Sequence, residues 1–252
     1  MTGPDVPESH PRYESLLLRH RIEAGVEKGI TSKQGLIAQG RGEAYDYLLG
    51  ERTIPSADDA ERAAAAHLLR ADHAVLSVNG NVAALAPEET VELAEATGAD
   101  IEVNLFNRTD ERMEHIAAHL REHGAEEVLG LEADGRIPGL DHGRAKVDAG
   151  GIGRADVVVV PLEDGDRAEA LAETGKTEIV VDLNPLSRSA RNATVPIVDN
   201  IIRAVPNVTG HARDLADASE AELRSIVEAF DASGALVAAE RAIRQGDLKD
   251  AG

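Results

Sequence analysis

The chain has 252 residues, no cysteine, and 46 acidic side chains against 26 basic ones, which gives a net charge of −20. The lack of cysteine excludes disulfides and thiolate metal sites, and no apolar run is long enough to span a bilayer. The negative charge disfavours general binding to nucleic acid, whose phosphates require positive partners. We see no signal peptide, and we expect a cytoplasmic protein that binds neither nucleic acid nor membranes.

The acidic composition also bears on the solvent in which the chain works. Arginine supplies most of the positive charge, and aromatic residues make up only 2% of the chain. Carboxylates that repel one another destabilise a compact fold unless salt screens them. This composition is typical of proteins from a halophilic cytoplasm with molar salt.

Helical patterns dominate the first part of the chain. In the first predicted helix, Gly29 is placed to end the segment, since glycine adopts the left-handed conformation that follows many helices. Thr31 or Ser32 can begin the second helix, and Ser56 can cap the third.

Short apolar runs alternate with amphipathic segments from residue 73 onward. Uninterrupted β-branched runs indicate strands buried on both faces, which is the pattern of a parallel sheet. Alternation of such strands with helices indicates right-handed crossovers in an α/β layer. The predicted strands cover residues 74–78, 101–105, 127–131, 157–161 and 179–181, and the predicted helices cover residues 87–96, 109–123 and 167–173.

These patterns predict an α/β fold with a Rossmann-like, doubly wound and mainly parallel sheet. We divide the chain into a disordered tail, an N-terminal helical region, a Rossmann-like nucleotide-binding core, and C-terminal helices for packing or dimerisation. The four parts cover residues 1–9, 10–72, 73–218 and 219–252.

Polar side chains follow the predicted strands, where the carboxyl ends of parallel strands form a ligand crevice. Asn79 and Asn81 surround Gly80 after the first strand, and this turn is expected to adopt left-handed geometry and offer free N–H groups to an anion. The later strand ends carry Asn104, Asn107 and Arg108, then Glu163, Asp164 and Asp166, and finally Asp182, Asn184, Arg188 and Ser189.

Each of these side chains suits a particular chemistry. Asp182 and Asn184 can hydrogen-bond a sugar or a base, and Arg188 can hold a phosphate. The acids after the fourth strand can hold a magnesium ion or orient an amine. Three basic islands, at residues 10–41, 136–154 and 184–204, would form an anion site if they converge.

The standard nucleotide-binding motifs are missing. No G-x-G-x-x-G motif follows the first predicted strand. The Gly-Lys-Thr sequence at residues 175–177 lies between a helix and a strand, which reverses the order of a P-loop.

Two further patterns leave other functions open. Residues 31–50 can be read as a helix-turn-helix broken near Gly40, although the net charge favours glycine-rich packing and phosphate contact. His115, His119 and His123 share one helix face, a spacing that can bind metal but more often marks a solvated stripe. A nucleotide-dependent kinase or oxidoreductase and a ligand-responsive DNA-binding regulator therefore remain alternatives.

Several long blocks, among them LSVNGNVAALAPEE, RIPGLDHGRAKVD and VDLNPLSRSAR, are similar to the archaeal 4-phosphopantoate–β-alanine ligases, or phosphopantothenate synthetases. The resemblance runs in order from about residue 9 to residue 206. It implies a homodimeric, Rossmann-like enzyme of archaeal coenzyme A biosynthesis. Such an enzyme joins 4-phosphopantoate to β-alanine through an acyl-adenylate, uses ATP and Mg²⁺, and releases AMP and diphosphate.

The resemblance also implies which residues contact ATP. These are Arg19, Arg41, Asp182, Leu183, Asn184, Arg188, Ser189, Asp199, Asn200 and Ile201.

For the other substrates and the metal, the sequence provides only candidates. The candidates for binding 4-phosphopantoate are Asn79, Asn81, Arg108 and Arg144, and those for metal are Asp164 and Asp166. The candidates for the catalytic group are Lys146, His142 and Glu163, and the sequence does not choose between them.

Overall fold

A computed structural model describes residues 7, 9–10, 12–161 and 165–246. Most of the predicted tail at residues 1–9 and the candidates Glu163 and Asp164 lie outside the described residues. No helix in the described part of the chain is both long and apolar enough to cross a membrane.

Three helices open the chain, as predicted. They are α1 (Tyr13–Glu27), α2 (Lys33–Leu49) and α3 (Pro55–Arg70). Gly29 follows α1 with a φ of 72°, in the left-handed region that favours glycine. Ser32 caps α2, because its side chain accepts a hydrogen bond from the N–H of Gly35.

One alternative and one prediction for this region fail. The helix-turn-helix, which was the less favoured interpretation of residues 31–50, is not formed, since α2 runs unbroken through Gly40. A glycine inside a helix costs only about 1 kcal/mol relative to alanine, which the packing of α2 against α1 and other helices can offset. Ser56 does not cap α3, because Pro55 takes the first helical position and Ile54 precedes it without a side-chain hydrogen bond.

The core is a five-stranded parallel sheet, which confirms the predicted fold class. The strands along the chain are β1 (Ala74–Val78), β2 (Asp100–Val103), β3 (Gly135–Arg136), β4 (Lys146–Val147), β5 (Val157–Pro161), β6 (Thr177–Val181) and β7 (Val195–Ile197). The sheet has the order β2-β1-β5-β6-β7, and β3 pairs with β4 as a separate antiparallel hairpin. Every residue of β1 and β5 is buried, as expected for central strands covered on both faces.

The predicted strand at residues 127–131 is not formed. Leu129 makes a single bridge to Glu102, with one hydrogen bond to Val103 and another to Ile101. Gly130 then turns the chain away with a φ of 93°, which ends the pairing after one residue.

Helices and loops cover both faces of the sheet. Leu76 and Val78 of β1 face a core shared with α1 and α3, whereas Val75 faces a second core with the β3–β4 segment and a later helix. The helices that follow β1 are α4 (Gly80–Leu85), α5 (Pro87–Thr97), α6 (Asp110–Glu122), α7 (Gly165–Glu173), α8 (Arg188–Asn192) and α9 (Ile201–Asp214).

Two C-terminal helices complete the described chain, as predicted. They are α10 (Glu220–Ala229) and α11 (Ala232–Gln245). Ser219 begins α10 with a capping box that includes Glu222. Both helices pack on α3, and α11 also contacts α2 and β7, so the two ends of the chain cover the same side of the core.

Candidate functional site

A cleft of about 330 Å³ lies at the carboxyl ends of β1, β2 and β6, beneath α2. Open parallel sheets bind ligands at this edge, and the volume is at the lower end of the range for ligand pockets. The described residues that line the cleft are Ser32, Gln34, Gly35, Ala38, Arg41, Gly42, Tyr45, Asn79, Gly80, Asn81, Leu105, Phe106, Asn107, Arg112, Arg144, Asp182, Leu183 and Asn184.

The cleft brings together several of the predicted site residues. From the predicted ATP set it contains Arg41, Asp182, Leu183 and Asn184, and from the substrate candidates it contains Asn79, Asn81 and Arg144. These residues come from four separate segments of the chain, and two of those segments directly follow β1 and β6, which end at the same edge of the sheet.

The first turn of α2 lies directly against the end of β1. The amide of Asn81 donates to the carbonyl of Gly35 at 3.0 Å, and a Cβ atom on Gly35 would lie 2.3 Å from the Asn81 Oδ1. A larger residue than glycine would therefore displace the Asn81 side chain and break this hydrogen bond. This close approach makes α2 the roof of the cleft.

The predicted left-handed turn at Gly80 is wrong. Asn79 has extended backbone angles and caps α4, with its Oδ1 accepting from the N–H groups of Asn81 and Val82, so those groups are not free for an anion. Glycine is needed at position 80 for space, since a Cβ atom there would lie 2.3 Å from the carbonyl oxygen of Ile30.

Positive charge dominates the cleft. Arg41, Arg112 and Arg144 line it, while Asp182 is the only carboxylate among the described lining residues. Burial, and then the nearby charge of Arg144, lower the pKa of Arg112 from its ordinary value. Two guanidinium groups that repel each other in a cleft create a site for an anion such as phosphate.

The turn after β6 is held by its own side chains. The Asn184 N–H donates to Asp182 at 3.0 Å, and the Leu186 N–H donates to the Asn184 side chain at 3.0 Å. Burial raises the pKa of the Asp182 carboxyl, although hydrogen bonds from Ser187 and Asn184 oppose this effect. The turn is therefore preorganised without a ligand.

A second group of predicted residues lies outside the described lining of the cleft, and we call His142, Asp166 and Arg188 the rim residues. His142 stacks on Phe106 with ring centroids 5.0 Å apart, and its Nε2 lies 3.2 Å from the Asp166 carboxylate. Arg188 pairs with Glu169 at 2.6 Å on the surface. Arg188 and the buried Ser189 are absent from the described lining of the cleft.

Asp199 and Asn200 lie in a buried polar network instead. Arg203 contacts Asp46 at 2.5 Å and Asp199 at 2.6 Å, and the Asn200 amide donates to Asp46 at 2.7 Å. This network ties α2 to the start of α9, where Ile201 is buried. Asp199 and Asn200 therefore help to hold α2 in place within one chain, and neither they nor Ile201 line the described cleft.

Three further candidates lie away from the described part of the cleft. Arg108 donates to the carbonyl oxygens of Gly130 and Leu131. Lys146 is exposed on β4. Arg19 pairs with Glu43 on the outer face of α1 and α2, and this pairing holds the pKa of the Glu43 carboxyl below its ordinary value.

Sequence reasoning missed a buried carboxylate that positions the loop behind the cleft. Glu102 is fully buried and accepts hydrogen bonds from the N–H groups of Asp148 and Ile152 at 3.0 and 2.7 Å. Burial raises its pKa to about 7 despite these bonds. The sequence did contain a signal, since Glu102 lies within an apolar strand. A carboxylate buried there without partners is costly, so hydrogen-bond donors are expected around it.

Arg112 was also missed, together with Gln34 and Tyr45 on the cleft face of α2. Arg112 donates to the carbonyl oxygens of Ile30 at 3.0 Å and Asn107 at 3.2 Å. A signal existed for it, since a basic residue in the first turn of a helix is unfavourable next to the helix dipole.

The histidine spacing on α6 has a packing role. His119 is buried and lies edge-on to the His123 ring at 4.3 Å, so the predicted solvated stripe is wrong at this position. Burial lowers the pKa of His119. The group of possible metal ligands found in the described part of the chain contains none of these histidines.

Comparisons with known proteins agree closely with one another. The family model for phosphopantothenate/pantothenate synthetase matches residues 56–246. A 4-phosphopantoate–β-alanine ligase from Thermococcus onnurineus strain NA1 is 60% identical over 227 residues, covering 90% of this chain and 87% of the relative. Proteins of the same name from Thermococcus kodakarensis and Methanosarcina mazei are 59% and 56% identical, each over 90% of this chain and over 87% and 89% of their own lengths.

The fold and the cleft define an α/β protein whose candidate ligand site is lined by arginines at the carboxyl edge of a parallel sheet. The chain belongs to the phosphopantothenate/pantothenate synthetase family. This confirms the resemblance detected in the sequence.

We predict that Arg203→Ala destabilises the fold by about 3–5 kcal/mol, because it leaves two buried carboxylates, Asp46 and Asp199, without their countercharge. Urea unfolding monitored by circular dichroism measures the change. Arg213→Ala on the same helix breaks only an exposed pair with Glu92 and should stay within about 1 kcal/mol of the parent. Equal effects of the two substitutions would contradict a structural role for the network.

Proposed function

We propose that the chain is an ATP-dependent ligase that condenses 4-phosphopantoate with β-alanine to 4′-phosphopantothenate, AMP and diphosphate, in archaeal coenzyme A biosynthesis. The observation that carries this proposal is identity of 60% over 90% of the chain to a relative named for that reaction. The arginine-lined cleft supports it, since both ATP and 4-phosphopantoate are phosphate esters.

The reaction needs an activated acid. A carboxylate does not acylate an amine at neutral pH, because its leaving group would be oxide. In the proposed first step, a carboxylate oxygen of 4-phosphopantoate attacks the α-phosphorus of ATP, and diphosphate leaves. The amine of β-alanine then attacks the acyl carbon, AMP leaves with that oxygen, and a base takes the proton from nitrogen. Holding three reactants in register should supply much of the rate.

The cleft residues divide between the two phosphate-bearing substrates. We assign one group of lining residues to the nucleotide, because Leu183 lies close to Gly42 of α2 and the charge of Arg41 acts on Asp182. This group is Arg41, Asp182, Leu183 and Asn184. The neighbouring guanidinium groups of Arg112 and Arg144 suit the phosphate of 4-phosphopantoate, and we assign Asn79 and Asn81 to the same substrate.

The rim residues suit the reacting groups and the metal. His142, held between Phe106 and Asp166, is our preferred general base over the exposed Lys146, because it adjoins the cleft. Arg188 lies near the first residue of α7, Gly165, where it could reach a phosphate by releasing Glu169.

Magnesium fits these residues as a companion of ATP. Mg²⁺ in nucleotide sites is bound mainly by phosphate oxygens and water, with one or two protein carboxylates. Asp182 in the cleft and Asp166 at the rim provide such carboxylates within the described residues. The ion would neutralise phosphate charge during attack on the α-phosphorus.

We also propose a homodimer. Leu36, Ile37, Tyr47 and Leu48 are exposed on one side of α2, and Ile37 and Tyr47 are 74% and 62% exposed. Apolar side chains of this size next to one another favour burial against a second copy. Arg19 lies in the adjoining groove and not in the cleft, so its assignment to ATP requires a movement of α1 or a contribution from that second copy.

A cytoplasm rich in salt is the proposed setting, since the reaction uses cytoplasmic ATP and the chain has a net charge of −20.

The reaction is tested by measuring AMP in molar KCl with ATP, Mg²⁺, 4-phosphopantoate and β-alanine, and then omitting each in turn. We expect AMP only when both organic substrates are present, in step with the consumption of β-alanine. Formation of ADP in place of AMP would favour a kinase and contradict the ligase.

A pair of substitutions tests the division of the cleft. Arg144→Gln should raise the KM for 4-phosphopantoate about tenfold or more and leave the KM for ATP near that of the parent, because a charge-assisted hydrogen bond to phosphate is lost. Arg41→Gln should do the reverse. Steady-state kinetics with one substrate varied at a time provides both constants. If each substitution changed the KM for ATP and the KM for 4-phosphopantoate equally, the assignment of the arginines would be contradicted.

Ile37→Glu should shift the chain from dimer to monomer, because it places a charge in the proposed apolar interface. Sedimentation equilibrium in molar KCl reports the mass. Val237→Glu, on an exposed apolar position of α11, serves as the matched control and should leave the mass unchanged. A parent chain that sediments as a monomer would rule out the dimer.

The salt proposal is tested by thermal unfolding. Raising KCl from about 0.1 M to about 2 M shortens the screening length from about 10 Å to below about 3 Å, so the unfolding temperature should rise. Sucrose at matched osmolarity is the control, because it stabilises proteins by being excluded from their surface and does not screen charge. An unfolding temperature that is constant or falls in KCl would argue against halophilic adaptation.

A further inference from the structure

A cluster of three possible metal ligands lies between α3 and α9, outside the cleft. Asp58 and Glu61 stand three residues apart on α3 and therefore share one face of that helix. His211 reaches them from α9, with its Nε2 3.0 Å from the Asp58 Oδ1. One ligand atom of each side chain lies within 4.8 Å of those of the other two.

The burial of Glu61 is not explained by its contacts within the described chain. Its side chain is fully buried, and its Oε1 has no hydrogen-bond partner among the described residues. A buried oxygen without a partner costs free energy that a bound cation would offset.

Neighbouring residues already hold the Glu61 carboxylate in place. The Asn207 amide, one turn before His211 on α9, donates to the Glu61 Oε2 at 2.9 Å and to the Thr53 hydroxyl at 3.1 Å. Thr53 in turn donates to Asp199 at 2.6 Å. Such outer hydrogen bonds orient the ligands in metal sites.

We propose that Asp58, Glu61 and His211 bind one divalent transition-metal ion of the zinc class, which clamps α3 to α9. The fourth ligand would be water, because the side chain of Asp58 is exposed to solvent. The site is separate from the magnesium that accompanies ATP, since none of the three residues lines the described cleft.

The ligand set selects the class of metal. An imidazole with two carboxylates suits zinc and its neighbours, whereas magnesium and calcium prefer oxygen ligands alone. Ligand atoms around one zinc ion lie about 3–4 Å apart in a tetrahedral site. The three ligand atoms here lie within 4.8 Å of one another, and small side-chain rotations would bring them to the spacing of a tetrahedral site.

The probe is Co²⁺, which takes zinc sites and has visible absorption bands that report its coordination. The full-length chain without a polyhistidine tag is treated with EDTA, exchanged into buffer and titrated with Co²⁺. We expect one equivalent to bind, with bands typical of four-coordinate cobalt, and the unfolding temperature to rise with Co²⁺ or Zn²⁺ but not with Mg²⁺.

Glu61→Gln and His211→Gln should each weaken Co²⁺ binding at least about tenfold and abolish the rise in unfolding temperature. Glutamine keeps the shape of Glu61, and far-UV circular dichroism checks that each variant is folded. Glu126→Gln and His115→Gln remove an exposed carboxylate and an exposed imidazole elsewhere and should bind Co²⁺ like the parent. A parent chain that binds no Co²⁺, or folded Glu61 and His211 variants that bind as tightly as the parent, would overturn the site.

Discussion

The close approach of α2 to the carboxyl end of β1 is the constraint on which the cleft depends. It rests on Gly35, whose lack of a side chain lets α2 contact Asn81 directly. A second contact holds the other end of the helix, because the buried network around Arg203 fixes the C-terminal part of α2 to α9. With both ends of the helix held, the face that carries Arg41 is directed to the strand ends. Contacts within the protein thus shape the cleft before any ligand contributes.

The charge distribution sets this cleft apart from the rest of the molecule. In a chain with a net charge of −20, three arginines and a single described carboxylate line one concave surface. Anionic substrates would therefore meet repulsion from the net charge of the protein and attraction from the arginines of the cleft. The electrostatic field of the protein therefore adds to the selectivity of the cleft for anions. Salt that screens the repulsion would also let anionic substrates approach the protein from more directions.

Much of the fold could be predicted, because buried parallel strands and helix caps leave local signals. The valine run of β5 and the Thr109 cap of α6 are examples, and both are confirmed. Long-range geometry left no such signal. Nothing local places Asp199 in a buried network or directs Arg108 to backbone carbonyls, since both outcomes depend on segments far away in the chain. Gly80 was misread for the same reason: its requirement for space comes from Ile30, which lies on another element.

The order of the strands has a consequence for how the protein is made. β1 is paired on one side by β2, its neighbour in sequence, but on the other by β5, so that Ala74 meets Val157 only after most of the core has been synthesised. Until β5 leaves the ribosome, the backbone N–H and C=O groups on one edge of the apolar strand β1 have no partner strand. Edges of this kind recruit other chains, and pairings between distant segments form slowly. The nascent chain should therefore depend on chaperones during that interval, and truncation before residue 157 should produce aggregation in place of a smaller folded core.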